Sequence, residues 1–147
     1  MNKKNKHSRK IAIVVSNFNG EITAGLLEGA LKVFKEKGYK DSGIITVKCP
    51  GAFEIPYVAK KLCESQKYSI VVCLGAVIKG ETAHFEYISD VVSHAIADLN
   101  LEFDIPVIFG VLTCYTYEQA VARSGDNQEN KGAEAALAAI EMLSLKL

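Results

Sequence analysis

Several features that often reveal a protein's role are missing from this 147-residue chain. It has no excess of either charge, since 17 basic residues balance 17 acidic ones, whereas nucleic-acid binders usually carry a clear basic surface. No apolar run approaches the roughly 18 residues that a membrane-spanning helix needs, and no two cysteines form a C-x-x-C pair. The composition therefore argues against nucleic-acid binding, membrane insertion and a zinc site.

The four cysteines indicate a reducing compartment. Most of them lie in apolar surroundings, and their spacing matches no disulfide or metal framework. We interpret them as reduced core thiols of a cytoplasmic protein: Cys49, Cys63, Cys73 and Cys114.

The chain has the length and composition of one domain. Its hydrophobic content is 49% and its charged content 23%, as in soluble globular proteins with a single core. Linkers, repeats and low-complexity segments are missing. The basic segment 1–10, MNKKNKHSRK, is interpreted as a flexible tail because no apolar targeting segment follows it. We therefore expect a single domain over 11–147.

Short apolar runs alternate with helical patterns along this domain. The runs are continuous rather than alternating in polarity, which is typical of strands covered on both faces; they span 11–16, 43–48, 70–75 and 106–112. The helical patterns span 22–37, 54–65 and 85–99, a short helix after the capping-box pattern TYEQ (116–119), and a last helix from Lys131. This order predicts a three-layer α/β/α sandwich around a flavodoxin-like, four-stranded parallel sheet.

Ligands of open parallel sheets bind beyond the carboxyl ends of the strands. The segments that follow the predicted strands are 17–20, 49–54, 76–84 and 113–116. Phe18 and Phe53 lie in two of them, and aromatic rings at strand ends can stack on a flat heterocycle. The alternative is that both rings fold back into the core. Glu54 follows Phe53 and offers a carboxylate to ring or hydroxyl donors.

The segment GAVIKGETAHFEYI (75–88) lacks the lysine of a nucleotide phosphate-binding loop. Gly75 and Gly80 have the spacing of that loop, but Glu81 stands at the lysine position and would repel a triphosphate. This argues against an NTPase. A glycine-containing turn from strand to helix can still hold an anion on its backbone amides, and we expect Thr82 to cap the helix.

His84 then falls in the first turn of that helix. The positive helix end disfavours an imidazolium, which leaves the ring able to accept a proton. The alternative is an exposed histidine without a chemical role. HFE (84–86) also matches the H-x-E of zinc deaminases, but their P-C-x-x-C is missing, so we reject a metal role. Arg123 and Lys131 flank a polar turn, and arginine suits a bidentate contact with phosphate.

Five strings of the chain resemble the lumazine synthase family of riboflavin biosynthesis. They are PGAFEIP (50–56), GAVIKGETAHFEYI (75–88), PVIFGVLT (106–113), EQAVARSG (118–125) and NKGAEAA (130–136), and they occur in family order and spacing. The resemblance implies condensation of 5-amino-6-(D-ribitylamino)uracil with 3,4-dihydroxy-2-butanone 4-phosphate. The products would be 6,7-dimethyl-8-ribityllumazine, phosphate and water, and the reaction would need no cofactor.

The resemblance also implies roles for individual residues. His84 matches the catalytic histidine, and Arg123 matches a phosphate-binding residue that the neighbouring subunit contributes together with Phe109 and Lys131. Glu81 and Thr82 match the pair near the phosphorylated substrate. The remaining matches surround the pyrimidine ring and its ribityl chain: Phe18, Ala52, Phe53, Glu54, Ala76, Val77 and Ile78.

The resemblance implies a homo-oligomer as well. The family forms pentamers, many members close twelve pentamers into a sixty-subunit icosahedral shell, and riboflavin synthase is a partner enzyme. The turn SGDNQEN (124–130) has the length found in shell-forming members but a different composition, and Asn17 stands where the family often has arginine. Pentamer, decamer and shell stay open. The alanine-rich last helix has two interpretations from its own residues: simple core packing, or a surface that is in part an oligomer interface.

Two classes of rival function remain to be weighed. A flavodoxin or a response regulator would need a Ser/Thr-rich phosphate loop or an acidic cluster after the first strand, where this chain has SNFNG (16–20). A non-catalytic flavin-binding or shell-forming relative could share nearly the same sequence, so only an assay separates it from the enzyme.

Overall fold

The computed structural model describes residues 9–147, and across them four strands alternate with five helices. The strands are β1 (Ile11–Ser16), β2 (Ile44–Cys49), β3 (Ile70–Ile78) and β4 (Val107–Cys114). The helices are α1 (Gly20–Glu36), α2 (Ile55–Glu64), α3 (His84–Glu102), α4 (Tyr117–Ala122) and α5 (Lys131–Ser144). Most of the predicted tail, residues 1–8, lies outside the described residues.

The strands form one sheet in the order β2-β1-β3-β4, and every neighbouring pair is parallel. The predicted flavodoxin-like parallel sheet is therefore confirmed. The chain first adds β2 on one side of β1 and then places β3 and β4 on the other side. This reversal of strand order opens a crevice at the carboxyl edge of the sheet, where ligands bind in such folds.

Helices cover both faces of the sheet and create two separate cores. On one face, Ile11 and Ile13 of β1 pack with residues of α1 and α5. On the other face, Ala12 and Val14 pack with residues of α2 and α3. Every residue of β1 is buried, which explains why its sequence up to Val15 is apolar without alternation. The predicted three-layer arrangement is confirmed.

Helix α5 lies very close to α1 because small residues line their contact. A Cβ atom added at Gly132 would overlap the main chain of Leu26. The buried alanines of α5, Ala135, Ala136 and Ala139, face the core, which confirms a core-packing role for that side of the helix.

Most predicted bounds differ from the observed ones by one to three residues, and two of these differences bear on the site. β3 continues to Ile78 instead of ending at Gly75, because β4 pairs with it as far as the partners Ile78 and Cys114. Helix α3 begins at His84 and its N-cap is Ala83, so the prediction that Thr82 caps the helix was wrong. The Thr82 hydroxyl instead accepts a long hydrogen bond of 3.4 Å from the His84 N–H.

The first described residues contact the body of the protein. The Arg9 guanidinium donates to the carbonyl oxygen of Leu143 at the end of α5 over 2.5 Å. The Ser69 N–H donates to the carbonyl oxygen of Lys10 over 2.8 Å. Both contacts lie at the amino edge of the sheet, away from the crevice.

All four cysteines are buried free thiols. Burial raises the pKa of Cys49 to about 11, with the nearby Glu54 carboxylate adding to the effect. Burial likewise raises the pKa of Cys63 to about 11. A thiol held in its neutral form is a weak nucleophile, so these side chains act as small apolar core residues.

No helix within 9–147 has the length and apolar character required to cross a bilayer.

Candidate active site

A cleft of about 550 Å³ opens at the carboxyl ends of β1, β2 and β3. It therefore lies at the reversal of strand order, as expected for this class of fold. The structure brings eight of the predicted site residues together in its lining: Phe18, Ala52, Phe53, Glu54, Ala76, Val77, Ile78 and His84.

The turn between β1 and α1 places Phe18 at the rim of the cleft. The Asn17 N–H donates to the Cys49 carbonyl oxygen over 2.8 Å, and the Phe18 N–H donates to the Pro50 carbonyl oxygen over 3.0 Å. These bonds continue the β1–β2 pairing beyond the ends of both strands and hold the turn in place. The Phe18 side chain stays 71% exposed. A phenyl ring that is exposed on a fixed backbone is suited to stacking on a flat heterocycle.

Residues 50–54 form the second wall of the cleft. Ala52–Glu54 is a single 3₁₀ turn that leads into α2. The Gly51 N–H donates to the Glu54 carboxylate over 3.1 Å and so anchors that carboxylate at the start of the turn. Phe53 points away from the core and is 57% exposed. The sequence-based alternative, in which Phe18 and Phe53 fold back into the core, is therefore wrong.

The carboxyl end of β3 forms the floor of the cleft. Ala76 and Val77 are buried and Ile78 is half-buried, so the extra strand residues present mainly backbone and small apolar groups to the cleft. The side-chain amide of Asn19 donates to the Ala76 carbonyl oxygen over 3.1 Å. This bond joins the rim of the cleft to its floor.

His84 is the first residue of α3, and its exposed ring lines the cleft. The helix terminus therefore directs its free backbone N–H groups and its positive end toward the same space. The preceding turn is attached to the neighbouring strand, because the Lys79 N–H donates to the Cys114 carbonyl oxygen over 2.9 Å. Glu81 and Thr82 lie on this turn and are exposed beside the cleft rather than in its lining.

Phe109, Arg123 and Lys131 line a different pocket, with a volume of about 320 Å³. It extends along β4, which is an edge strand of the sheet, and is bounded by α5. The Arg123 guanidinium donates to the Gln119 carbonyl oxygen over 3.0 Å, and the Lys131 ammonium contacts the Glu134 carboxylate at 2.7 Å. The structure does not bring these three residues into the cleft of the same chain.

The two pockets differ in charge. Among the described residues that line the cleft, Glu54 and His84 are ionisable and none is a lysine or an arginine. The pocket on β4 contains both Arg123 and Lys131. An anionic group bound in the cleft would therefore find backbone N–H groups but no lysine or arginine in the lining that its own chain provides. Within 9–147, no three His, Cys, Asp or Glu side chains are grouped to hold a metal ion.

The sequence-based prediction did not name four residues of the lining: Asn19, Pro50, Gly51 and Ile88. The first three fall in its candidate segments 17–20 and 49–54. Ile88 could have been found, because it lies one helical turn after His84 and residues four apart share a helix face. Asn19 lies in the candidate segment 17–20, but its residue type gave no further signal, since asparagine is common in turns and at helix caps.

A comparison with models of known protein families matches residues 8–146 to the family described as 6,7-dimethyl-8-ribityllumazine synthase. The match includes every strand, every helix and both pockets described above. The chain belongs to this family. Lumazine synthases are transferases of riboflavin biosynthesis, and membership assigns this activity and small-molecule substrates to the chain. The resemblance inferred from the five sequence strings is thereby confirmed.

Proposed function

We propose that this lumazine synthase condenses 5-amino-6-(D-ribitylamino)uracil with 3,4-dihydroxy-2-butanone 4-phosphate. The observation that carries the proposal is the cleft, which combines two exposed phenyl rings with a histidine at a helix N-terminus. Its volume of about 550 Å³ suits a bicyclic product with a polyol chain. The product is 6,7-dimethyl-8-ribityllumazine.

The pyrimidine ring stacks on Phe18 in this proposal. Its polar edge meets the backbone of Ala76–Ile78 on the floor, and the ribityl hydroxyls extend along residues 52–54. Two features support this orientation. The Phe18 ring is exposed while its turn is held by two hydrogen bonds, one each from the Asn17 and Phe18 N–H groups. The Glu54 carboxylate is anchored where hydroxyl donors can reach it.

The phosphorylated substrate requires a cation that the cleft of one chain does not supply. We therefore place its phosphate at Arg123 of a neighbouring copy, close to Glu81, Thr82 and the start of α3. Phe109 and Lys131 accompany Arg123 on the open edge of β4. A cyclic assembly repeats one contact between two different surfaces, so each β4 edge can complete the next cleft. A pentamer satisfies this requirement; a shell, riboflavin synthase as a partner and a cytoplasmic location remain predictions.

The reaction proceeds in redox-neutral steps. The pyrimidine 5-amino group attacks the ketone carbon, and one water leaves as the imine forms. Loss of a proton from the adjacent carbon then expels phosphate and gives an enol that becomes a ketone. The ribitylamino nitrogen attacks this ketone, and a second water leaves as the ring closes. His84 accepts and returns the protons, Arg123 stabilises the departing phosphate, and the shared site holds both reactants in register.

The test is turnover by the purified protein. With both substrates and EDTA present, we expect a fluorescent lumazine to form with inorganic phosphate as the second product. A folded, assembled protein that forms no product would contradict the proposal. In that case tight binding of riboflavin without turnover would favour the non-catalytic flavin-binding relative.

A further inference from the structure

Asn19 has an unusual backbone conformation at the rim of the cleft. Its φ of 57° and ψ of 50° lie in the left-handed region, which asparagine enters more readily than most residues that carry a Cβ. Among the described residues, Gln66 is the only other non-glycine residue with positive φ, and it lies outside the cleft lining. Backbone conformations of this kind concentrate at functional sites.

The Asn19 side chain does not cap α1, although the residue occupies the N-cap position. An N-cap asparagine usually accepts a hydrogen bond from a backbone N–H of the first helical turn. Here the amide nitrogen donates instead to the Ala76 carbonyl oxygen over 3.1 Å. Because that partner is an acceptor, the nitrogen rather than the oxygen of the amide must face it.

This bond replaces strand pairing where β1 has ended. The ladder between β1 and β3 stops at the partners Val15 and Leu74, yet the floor of the cleft is formed further along β3. On its other side, the turn is held to the end of β2 by the backbone bonds of Asn17 and Phe18. The Asn19 amide is thus the side-chain connection between the turn that carries Phe18 and the floor.

We propose that Asn19 is a positioning residue that sets the spacing between the Phe18 ring and the backbone of Ala76–Ile78. The inference rests on the proposed function, in which these two elements contact the face and the edge of the pyrimidine. A turn released from β3 adopts the competent spacing in a smaller fraction of molecules. The apparent affinity for the pyrimidine then falls by that same fraction, while the phosphate contacts are unaffected.

Three variants separate the hydrogen bond from the backbone conformation. Asn19→Gly removes the bond but accepts positive φ, Asn19→Ala removes the bond and disfavours positive φ, and Asn19→Asp keeps the shape but replaces the donor. We expect the KM for the pyrimidine to rise about fivefold in the glycine variant, as for loss of one neutral hydrogen bond. The alanine and aspartate variants should exceed about tenfold because strain or repulsion adds to that loss. The KM for the phosphorylated substrate should stay within about twofold, since its contacts are retained.

Asn100→Ala is the matched control. The Asn100 amide nitrogen also donates to backbone carbonyl oxygens, those of Ile96 at 3.0 Å and Val107 at 2.9 Å. Val107 is the first residue of β4, so this contact lies at the amino edge of the sheet, away from the cleft. We expect this variant to have a lower melting temperature without a selective rise in the KM for the pyrimidine. An equal rise in both KM values of Asn19→Ala, or lower stability with unchanged KM values, would overturn the inference.

Amide hydrogen exchange tests the positioning role without turnover. Exchange in the segment 17–22 of ligand-free Asn19→Ala should be faster than in the wild-type protein, and unchanged exchange would overturn the inference. If the wild-type protein forms no lumazine while this difference is present, the proposed function fails but the structural role of Asn19 stands.

Discussion

The separation of His84 from Arg123 predicts how two inactive variants behave when they assemble together. His84 lines the cleft of a chain, whereas Arg123 lines the pocket on its β4 edge. In the proposed site the histidine comes from one copy and the arginine from the next. A His84→Ala chain therefore keeps an intact arginine pocket, and an Arg123→Ala chain keeps an intact cleft.

The expected recovery of activity follows from how often a cleft that keeps His84 adjoins an edge that keeps Arg123. In a random assembly of equal amounts, half of the clefts retain His84 and half of the adjoining edges retain Arg123, so about a quarter of the sites are complete. Loss of a general acid–base or of a charge-stabilising group lowers kcat by about 100-fold. The mixed assembly should therefore be roughly 25-fold more active than either variant alone.

Co-expression of the two variants, followed by purification of the mixed assembly, allows the initial rate of lumazine fluorescence to be measured at saturating substrates. Co-assembly of His84→Ala with the double variant His84→Ala/Arg123→Ala is the control, because no chain in it carries the histidine. Activity of the mixed assembly that does not exceed that of the separate variants would refute a site shared between copies.

Three further predictions concern single positions. His84→Ala should lower kcat on the order of 100-fold at unchanged assembly size. The control is His94→Ala, at an exposed histidine further along α3, whose kcat should stay within about twofold of the wild-type value. Initial rates and light scattering check both variants, and a His84→Ala rate equal to that of the wild type would remove His84 from the mechanism. Gly132→Ala should lower the melting temperature by about 5–10 °C because the added Cβ overlaps the α1 backbone. Gly20→Ala, with open space around it, should shift the melting temperature by less than about 2 °C. Equal melting temperatures of the two variants by calorimetry would contradict the close helix contact. Because burial raises the pKa of Cys49 from 9.0 to about 11, folding favours the neutral form of this thiol. The contribution of the neutral thiol to the free energy of unfolding is complete below pH 9 and is lost as the pH rises toward 11. Alkylation of Cys49 at pH 8 should accordingly be roughly 100-fold slower in the folded than in the urea-unfolded protein, and similar rates would contradict this burial.

The fold could largely be predicted from local patterns. β1 is buried on both faces, so its first five residues form an uninterrupted apolar run that ends at the buried Ser16. The end of β3 was predicted at Gly75 although the apolar run continues to Ile78, because apolar residues alone do not separate a strand from its exit loop. The last residues are strand because they pair with β4. The predicted cap of α3 was wrong by one residue: the Thr82 hydroxyl accepts a long hydrogen bond from the His84 N–H, but Ala83 is at the N-cap position.

The site was predictable to a different degree in each of its parts. The residues of the cleft follow three strand ends, so the rule for parallel sheets placed them at one edge. The Asn19–Ala76 bond was beyond this reasoning, since it joins positions 57 residues apart through a backbone conformation that sequence patterns do not indicate. The location of Arg123 beside β4 depends on how α4 and α5 return to the sheet, which is again a tertiary property.

The absence of lysine and arginine from the described lining of the cleft has a consequence for inheritance. In an enzyme whose active site is formed by a single chain, surface substitutions away from that site are mostly tolerated. The effects of a substitution on folding, on association and on chemistry can then be distinguished. Here the outer edge of β4 would be surface and active site at once. A substitution there would impair chemistry in the neighbour rather than in the chain that carries it, so two different defective alleles in one cell could restore each other's activity.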